Sequence, residues 1–99
     1  MKYYVYILLT NNNTLYTGIT TDVLRRFDEH KTSIKGAKYT KSNSPKEILY
    51  VKEYPDRASA SKEEYRIKKT LNRSEKLELI ENNKTKTMEL LNSLINQQK

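Results

Sequence analysis

Tyr4-Val5-Tyr6 opens the first apolar run of this chain, and Tyr16-Thr17-Gly18 closes the next; Arg26, His30 and Glu64 follow in that order. These side-chain types suit the breaking of a phosphodiester. A phenol can position or deprotonate water, a guanidinium can hold a phosphate, and a carboxylate can carry a divalent metal. Lys68 stands one helical turn beyond Glu64, where it would add charge or tune the glutamate.

These groups act together only if the chain brings them together. Residues 3–9, rich in aromatic and β-branched side chains, read as a strand. Asn11-Asn12-Asn13 is a turn signal, and residues 14–19 read as the second strand of a hairpin. With the turn at the asparagines, Thr10 faces Thr14, Leu8 faces Tyr16 and Tyr6 faces Gly18. Tyr6 and Tyr16 then lie diagonally on one face, and a slip of one residue would separate them.

Thr20-Thr21-Asp22 offers N-caps for a helix to about Lys31, with Val23, Arg26, Phe27 and His30 on one stripe. Gly36 to Pro45 reads as a loop and residues 47–54 as a third, alternating strand. Asp56 caps a helix from Arg57 to about Leu71, whose stripe is Ala60, Glu64, Ile67 and Leu71. A carboxylate on that stripe needs a cation, a proton or strong donors. A short helix runs from Arg73 through Ile80. Lys84 to Gln98 carries Met88, Leu91, Leu94 and Ile95 at helical spacing and would pack on the domain or on a protein partner.

Two readings of the polar residues on apolar stripes stand side by side. If both helices pack on the tyrosine face, the five groups converge in one site. Alternatively Arg26 and Glu64 form a buried ion pair and the tyrosines are ordinary sheet residues. A single histidine without cysteines or clustered acids cannot build a zinc site, so metal ligation by His30 is not expected. No acid pairs with Glu64 at a two-metal spacing. One hard cation, Mg2+ or Mn2+, held by that carboxylate and several waters fits better.

Composition bounds the rest. The chain has 99 residues, enough for one domain, and no cysteine, which excludes a disulfide framework. Residues 3–9 are too short for a signal peptide and no run approaches a membrane span, so a cytoplasmic protein without membrane association is expected. The net charge is +7, and between Lys31 and Lys46 five lysines (31, 35, 38, 41 and 46) occur without an acid, with Tyr39 among them. Such a stretch is either a phosphate-backbone contact or a solvated loop.

From about residue 3 to residue 80 the order of motifs resembles the GIY-YIG nuclease superfamily, and most closely its small, stand-alone bacterial branch. Tyr4-Val5-Tyr6 matches the first motif with tyrosine in place of its glycine, and Tyr16-Thr17-Gly18 matches the second. Leu24-Arg25-Arg26, then His30, matches the following helix, and Glu64 matches the metal-binding glutamate. Ile19 stands where DNA-repair relatives carry a lysine. The closing asparagine of the family has only loose candidates in Asn72, Asn82 and Asn83.

The resemblance implies an α/β (α+β) domain over residues 1–80, a small three-stranded antiparallel sheet flanked by helices, with 81–99 a C-terminal helical extension. It implies metal-dependent endonuclease-type cleavage of a nucleic acid, DNA in the first instance. Tyr16 would be the general base or water-orienting group, assisted by Tyr6. Arg26 would stabilise the phosphorane charge, His30 would orient phosphate or nucleophile, and Glu64 would hold the metal. Lys31, Lys35, Lys38, Tyr39, Lys41 and Lys68 are the candidate nucleic-acid contacts. The alternative is a non-catalytic nucleic-acid-binding module with the same fold.

Overall fold

The computed structural model describes residues 1–32 and 45–97, with side chains from 1 to 29 and from 45 to 97. Strands β1 (Tyr3–Thr10) and β2 (Leu15–Thr20) form an antiparallel hairpin. Asn13 has a φ of 65°, in the left-handed region that asparagine tolerates better than most residues. Asn12 Oδ1 accepts the Thr10 hydroxyl at 2.7 Å and the Thr14 hydroxyl at 3.1 Å. The Thr10 N–H donates to the Thr14 carbonyl at 3.0 Å. That turn sets the register the sequence predicts: Leu8 opposite Tyr16, and Tyr6 opposite Gly18.

Strand β3 (Pro45–Tyr54) pairs antiparallel with the other side of β1, giving the order β2-β1-β3 with β1 central. Pro45 begins this strand rather than ending the preceding loop; a proline is tolerated at the first residue of an edge strand, where no ladder donor is lost. The pairing shifts between Ile7–Tyr50 and Leu8–Ile48. Leu49 is the extra residue, so the strict alternation expected over 47–54 breaks and Ile48 comes to share a face with Val51.

Four helices complete the fold: α1 (Val23–Thr32), α2 (Arg57–Thr70), α3 (Arg73–Asn82) and α4 (Lys84–Gln97). Their starts are fixed locally. Asp22 Oδ1 accepts the Arg25 N–H at 3.1 Å, and Asp56 Oδ1 accepts the Ser59 N–H at 2.8 Å. Asn72 and Glu75 form a reciprocal capping box at 2.8 and 2.9 Å. Asn83 Nδ2 donates to the Leu79 carbonyl at 2.8 Å. Asn72 and Asn83, two of the three loose asparagine candidates, therefore sit at helix ends.

The sheet has two buried faces. Tyr4, Tyr6 and Leu8 of β1 pack with Val51, with Val23 and Phe27 of α1, and with Leu90, Leu91 and Leu94 of α4. Val5 and Ile7 point the other way, to Tyr50, to Ala60 and Ile67 of α2, and to Leu79 and Ile80 of α3. Fully burying an aliphatic side chain such as Val5 or Ile7 contributes about 1.5–3 kcal/mol, so the central strand anchors both layers.

Helix α4 also covers the free side of β3, where Thr87 Oγ1 accepts the Val51 N–H at 3.3 Å. Met88 and Ile95, expected on its packing stripe, are exposed instead; Thr87, Leu90, Leu91 and Leu94 face inward. The inward arc is rotated by about one residue from the expected one. Among the described residues no helix is long and apolar enough to cross a membrane.

Candidate active site

The hairpin register brings two tyrosines together. The Tyr6 and Tyr16 rings lie 6.2 Å apart between centroids, tilted by 34°. They differ in exposure: Tyr6 is 2 % exposed and Tyr16 is 41 % exposed. One ring is thus part of the core and the other opens to solvent. Gly18, opposite Tyr6, makes the arrangement possible. A Cβ added there would lie 2.6 Å from Tyr6 Oη and 3.2 Å from Tyr16 Cε1. The φ of Gly18 is not positive, so space rather than backbone conformation demands glycine here. Sequence reasoning noted Gly18 in its motif but missed this role, because the contact runs across the hairpin.

Arg26 enters from α1. Its guanidinium hydrogen-bonds the Tyr6 hydroxyl, which raises the arginine's already high pKa, and it pairs with Glu29 at 3.6 Å. The Tyr6 pKa is raised above the ordinary tyrosine value. Burial is the main cause; the Arg26 hydrogen bond opposes it, and the neighbouring Tyr16 adds to it. Tyr6 therefore remains a neutral phenol at physiological pH, able to donate a proton in a hydrogen bond.

The carboxylate arrives by a different route from the one expected. Helix α2 does not pack on the tyrosine face; Ala60 and Ile67 seat it on the opposite face, against Val5 and Ile7. From that layer the Lys68 side chain of α2 reaches Tyr16, which is possible because β2 is an edge strand. Lys68 Nζ lies 5.9 Å from the Tyr16 ring centre and 3.3 Å from Glu64 Oε2. The Glu64 carboxylate is thus no farther from that ring than these two distances laid end to end. The buried Arg26–Glu64 pair is not formed. Arg26 pairs with Glu29 and Glu64 with Lys68, and both acids remain partly open to solvent.

Of the five candidate catalytic residues, Tyr6, Tyr16, Arg26 and Glu64 are thereby connected through one line of side chains, with Lys68 as a link. His30 lies on α1, but its side chain is outside the described residues, as are the candidate contacts Lys31, Lys35, Lys38, Tyr39 and Lys41. Among the described residues no three acids or histidines gather to cage a metal. Glu64 has a side chain 24 % exposed, a single accessible carboxylate. That donor set fits an ion such as Mg2+ that keeps most of its waters and takes the rest of its ligands from substrate phosphate.

Residues 2–78 match the model of the GIY-YIG catalytic domain. A UPF0213 protein of Oceanobacillus iheyensis is 50 % identical over 80 residues, covering 81 % of this chain and 91 % of its own. A UPF0213 protein of Staphylococcus haemolyticus is 44 % identical over 80 residues, covering 81 % and 95 %. The solution NMR structure of a UPF0213 protein from Bacillus halodurans superposes with a TM-score of 0.53 at 41 % identity, covering 82 % of this chain and 84 % of that one.

Proposed function

The chain belongs to the GIY-YIG catalytic-domain family and, within it, to the UPF0213 proteins, and on that premise we propose that it hydrolyses phosphodiester bonds in nucleic acid, DNA in the first instance, with one divalent cation on Glu64. The observation that carries this reading is the continuous line Arg26–Tyr6–Tyr16–Lys68–Glu64, which joins both layers of the fold around the edge of β2. What supports this reading over packing alone is the partnering: Arg26 reaches the Tyr6 phenol, and the exposed Tyr16 ring is linked to Glu64 through Lys68.

In this reading Tyr16, the exposed ring, orients the attacking water. Tyr6 stays protonated and fixes the Tyr16 side by hydrogen bonding. Arg26, anchored on Tyr6, presents positive charge to the phosphate as negative charge develops on its oxygens. Glu64 would hold Mg2+ or Mn2+, which when bound neutralises the phosphate and the leaving oxygen. The attacking oxygen forms its bond to phosphorus as the ester bond to the leaving oxygen breaks. The water gives up a proton as it attacks, the leaving oxygen takes one up from solvent, and so one strand end keeps the phosphate and the other becomes a hydroxyl. A cytoplasmic location, where nucleic acid is at hand, is part of this proposal.

Plasmid and branched DNA with an RNA control, each incubated with purified protein and Mg2+ or Mn2+, test the proposal. Cleavage of at least one substrate is expected, lost in Glu64→Gln while DNA affinity stays within a few-fold. Undiminished cleavage by that variant places the chemistry elsewhere, and salt-sensitive binding without any cleavage leaves a binding module. The Lys31–Lys46 segment supplies the proposed backbone contact. Replacing Lys35, Lys38 and Lys41 with alanine should flatten the slope of log K against log salt by up to about 3 without changing sequence preference.

A further inference from the structure

We propose that Lys68 is the resident cation of this site, a positioning residue that holds Glu64 against the β2 edge in the resting protein and competes with the divalent metal for it. The inference rests on the reading of Glu64 as the metal carboxylate. One ammonium makes two contacts at once: 3.3 Å to Glu64 Oε2, and 5.9 Å to the centre of the Tyr16 ring. The first is an i,i+4 pair in the favourable order, glutamate before lysine. The second lies within cation–π range. Together they aim a side chain rooted on the opposite face of the sheet at the tyrosine pair.

The same geometry opposes a metal. Mg2+ binds a carboxylate oxygen at about 2.1 Å. With Lys68 Nζ only 3.3 Å from Oε2, a dication there would sit within a few ångströms of a fixed positive charge. Each therefore weakens the other's hold on the carboxylate, and on Oε2 itself they compete directly. Lys68 has the means to leave: its side chain is 44 % exposed and its stem is flexible. Once displaced, the ammonium remains rooted beside Tyr16, where a substrate phosphate would be received. Metal entry and exposure of a phosphate-binding cation are then one event. Residues on one turn of α2 produce it, and no change of backbone is needed.

Mn2+ titrations monitored by the electron paramagnetic resonance of the free ion test this at low ionic strength, where an exposed pair is least screened. The proteins are wild type, Lys68→Met, Lys68→Arg, Glu64→Gln and the Glu64→Gln/Lys68→Met double variant. Lys68→Met keeps the length of the stem and removes the charge, and circular dichroism verifies its fold. It should bind Mn2+ roughly three- to ten-fold tighter than wild type. Lys68→Arg should stay near wild type, and the double variant should lose the gain. Equal or weaker binding by Lys68→Met, with a Glu64-dependent site present in wild type, overturns the competition and leaves the nuclease reading standing. Absence of any Glu64-dependent site in both wild type and Lys68→Met overturns the metal role of Glu64 and this inference with it.

Discussion

Two clusters in this small fold are made of the same residue types and behave differently. One joins Tyr6, Tyr16, Arg26, Lys68 and Glu64 at the β2 edge; the other joins Tyr50, Tyr54, Arg66, Lys52 and Glu63 at the β3 side. Adjacent glutamates on α2 divide them. In the second cluster Arg66 and Glu63 close a bidentate pair, both bonds 2.7 Å. Lys52 lies 5.6 Å from the Tyr54 ring centre. Tyr50 is fully buried, which holds its phenol neutral well above the usual tyrosine range. There the arginine's fork is spent on its own carboxylate. In the first cluster Arg26 and Glu64 are on different layers, Arg26 shares its guanidinium between the Tyr6 phenol and a longer 3.6 Å contact to Glu29, and the outer tyrosine faces water. In the proposed reading the choice of partners, not the list of residue types, distinguishes the two clusters.

The largest effect that would sharpen this contrast is on cleavage. Tyr16→Phe should reduce it roughly 100-fold or more while melting like wild type, and Tyr54→Phe should leave it within about two-fold. Equal losses in the two variants, measured as initial nicking rates, would erase the distinction.

Gly18→Ala should combine both kinds of damage. The new methyl meets the Tyr6 hydroxyl at 2.6 Å, so the ring must shift. A cost of about 1–3 kcal/mol in urea unfolding is expected, with cleavage falling further than stability explains. Wild-type activity in a stable variant would show that the tyrosine geometry is not needed.

Smaller effects concern pH. Tyr50 and Tyr6 have folded pKa values raised by burial above an unfolded value of about 10. Their contribution to stability is therefore full below about pH 10 and is lost as pH rises through the folded values. Melting curves from pH 8 to 12 should fall more steeply for wild type than for Tyr50→Phe, relative to each protein's own value at pH 8.

Smallest is Glu63→Gln. Arg66 holds the Glu63 carboxyl below its usual pKa, so this pair's contribution is present above about pH 4.3 and lost as pH falls through the depressed value. Arg66 is about half exposed, so the loss at neutral pH should be only about 0.5 kcal/mol and less in salt. Thermal melts at two salt concentrations measure it.

Much of this could be read from the chain. The asparagine turn and the alternation of β1 set the hairpin register, and hence the meeting of Tyr6 and Tyr16. The Thr20–Asp22 run bracketed the start of α1, where Asp22 is the cap, and Asp56 and the stripe Ala60–Glu64–Ile67 placed the start and the inward side of α2. What periodicity could not reveal was the layer on which a helix packs. A stripe shows that a side is buried, not against which face, so α2 was expected over the tyrosines and lies beneath them. The demand for glycine at 18 and the reach of Lys68 to Tyr16 are both contacts across elements, invisible to spacing along the chain. The Leu49 bulge shifted the alternation of β3 for the same reason: the extra residue is defined only against its partner strand.

The adjacent glutamates give the most direct test of the account. Glu63→Gln and Glu64→Gln, purified in parallel and assayed on one DNA substrate with Mg2+, differ by one position on a single helix. The account predicts that Glu64→Gln abolishes cleavage with little change in melting temperature, while Glu63→Gln cleaves like wild type and melts slightly lower. Cleavage that survives in Glu64→Gln, or is lost equally in both, would contradict it.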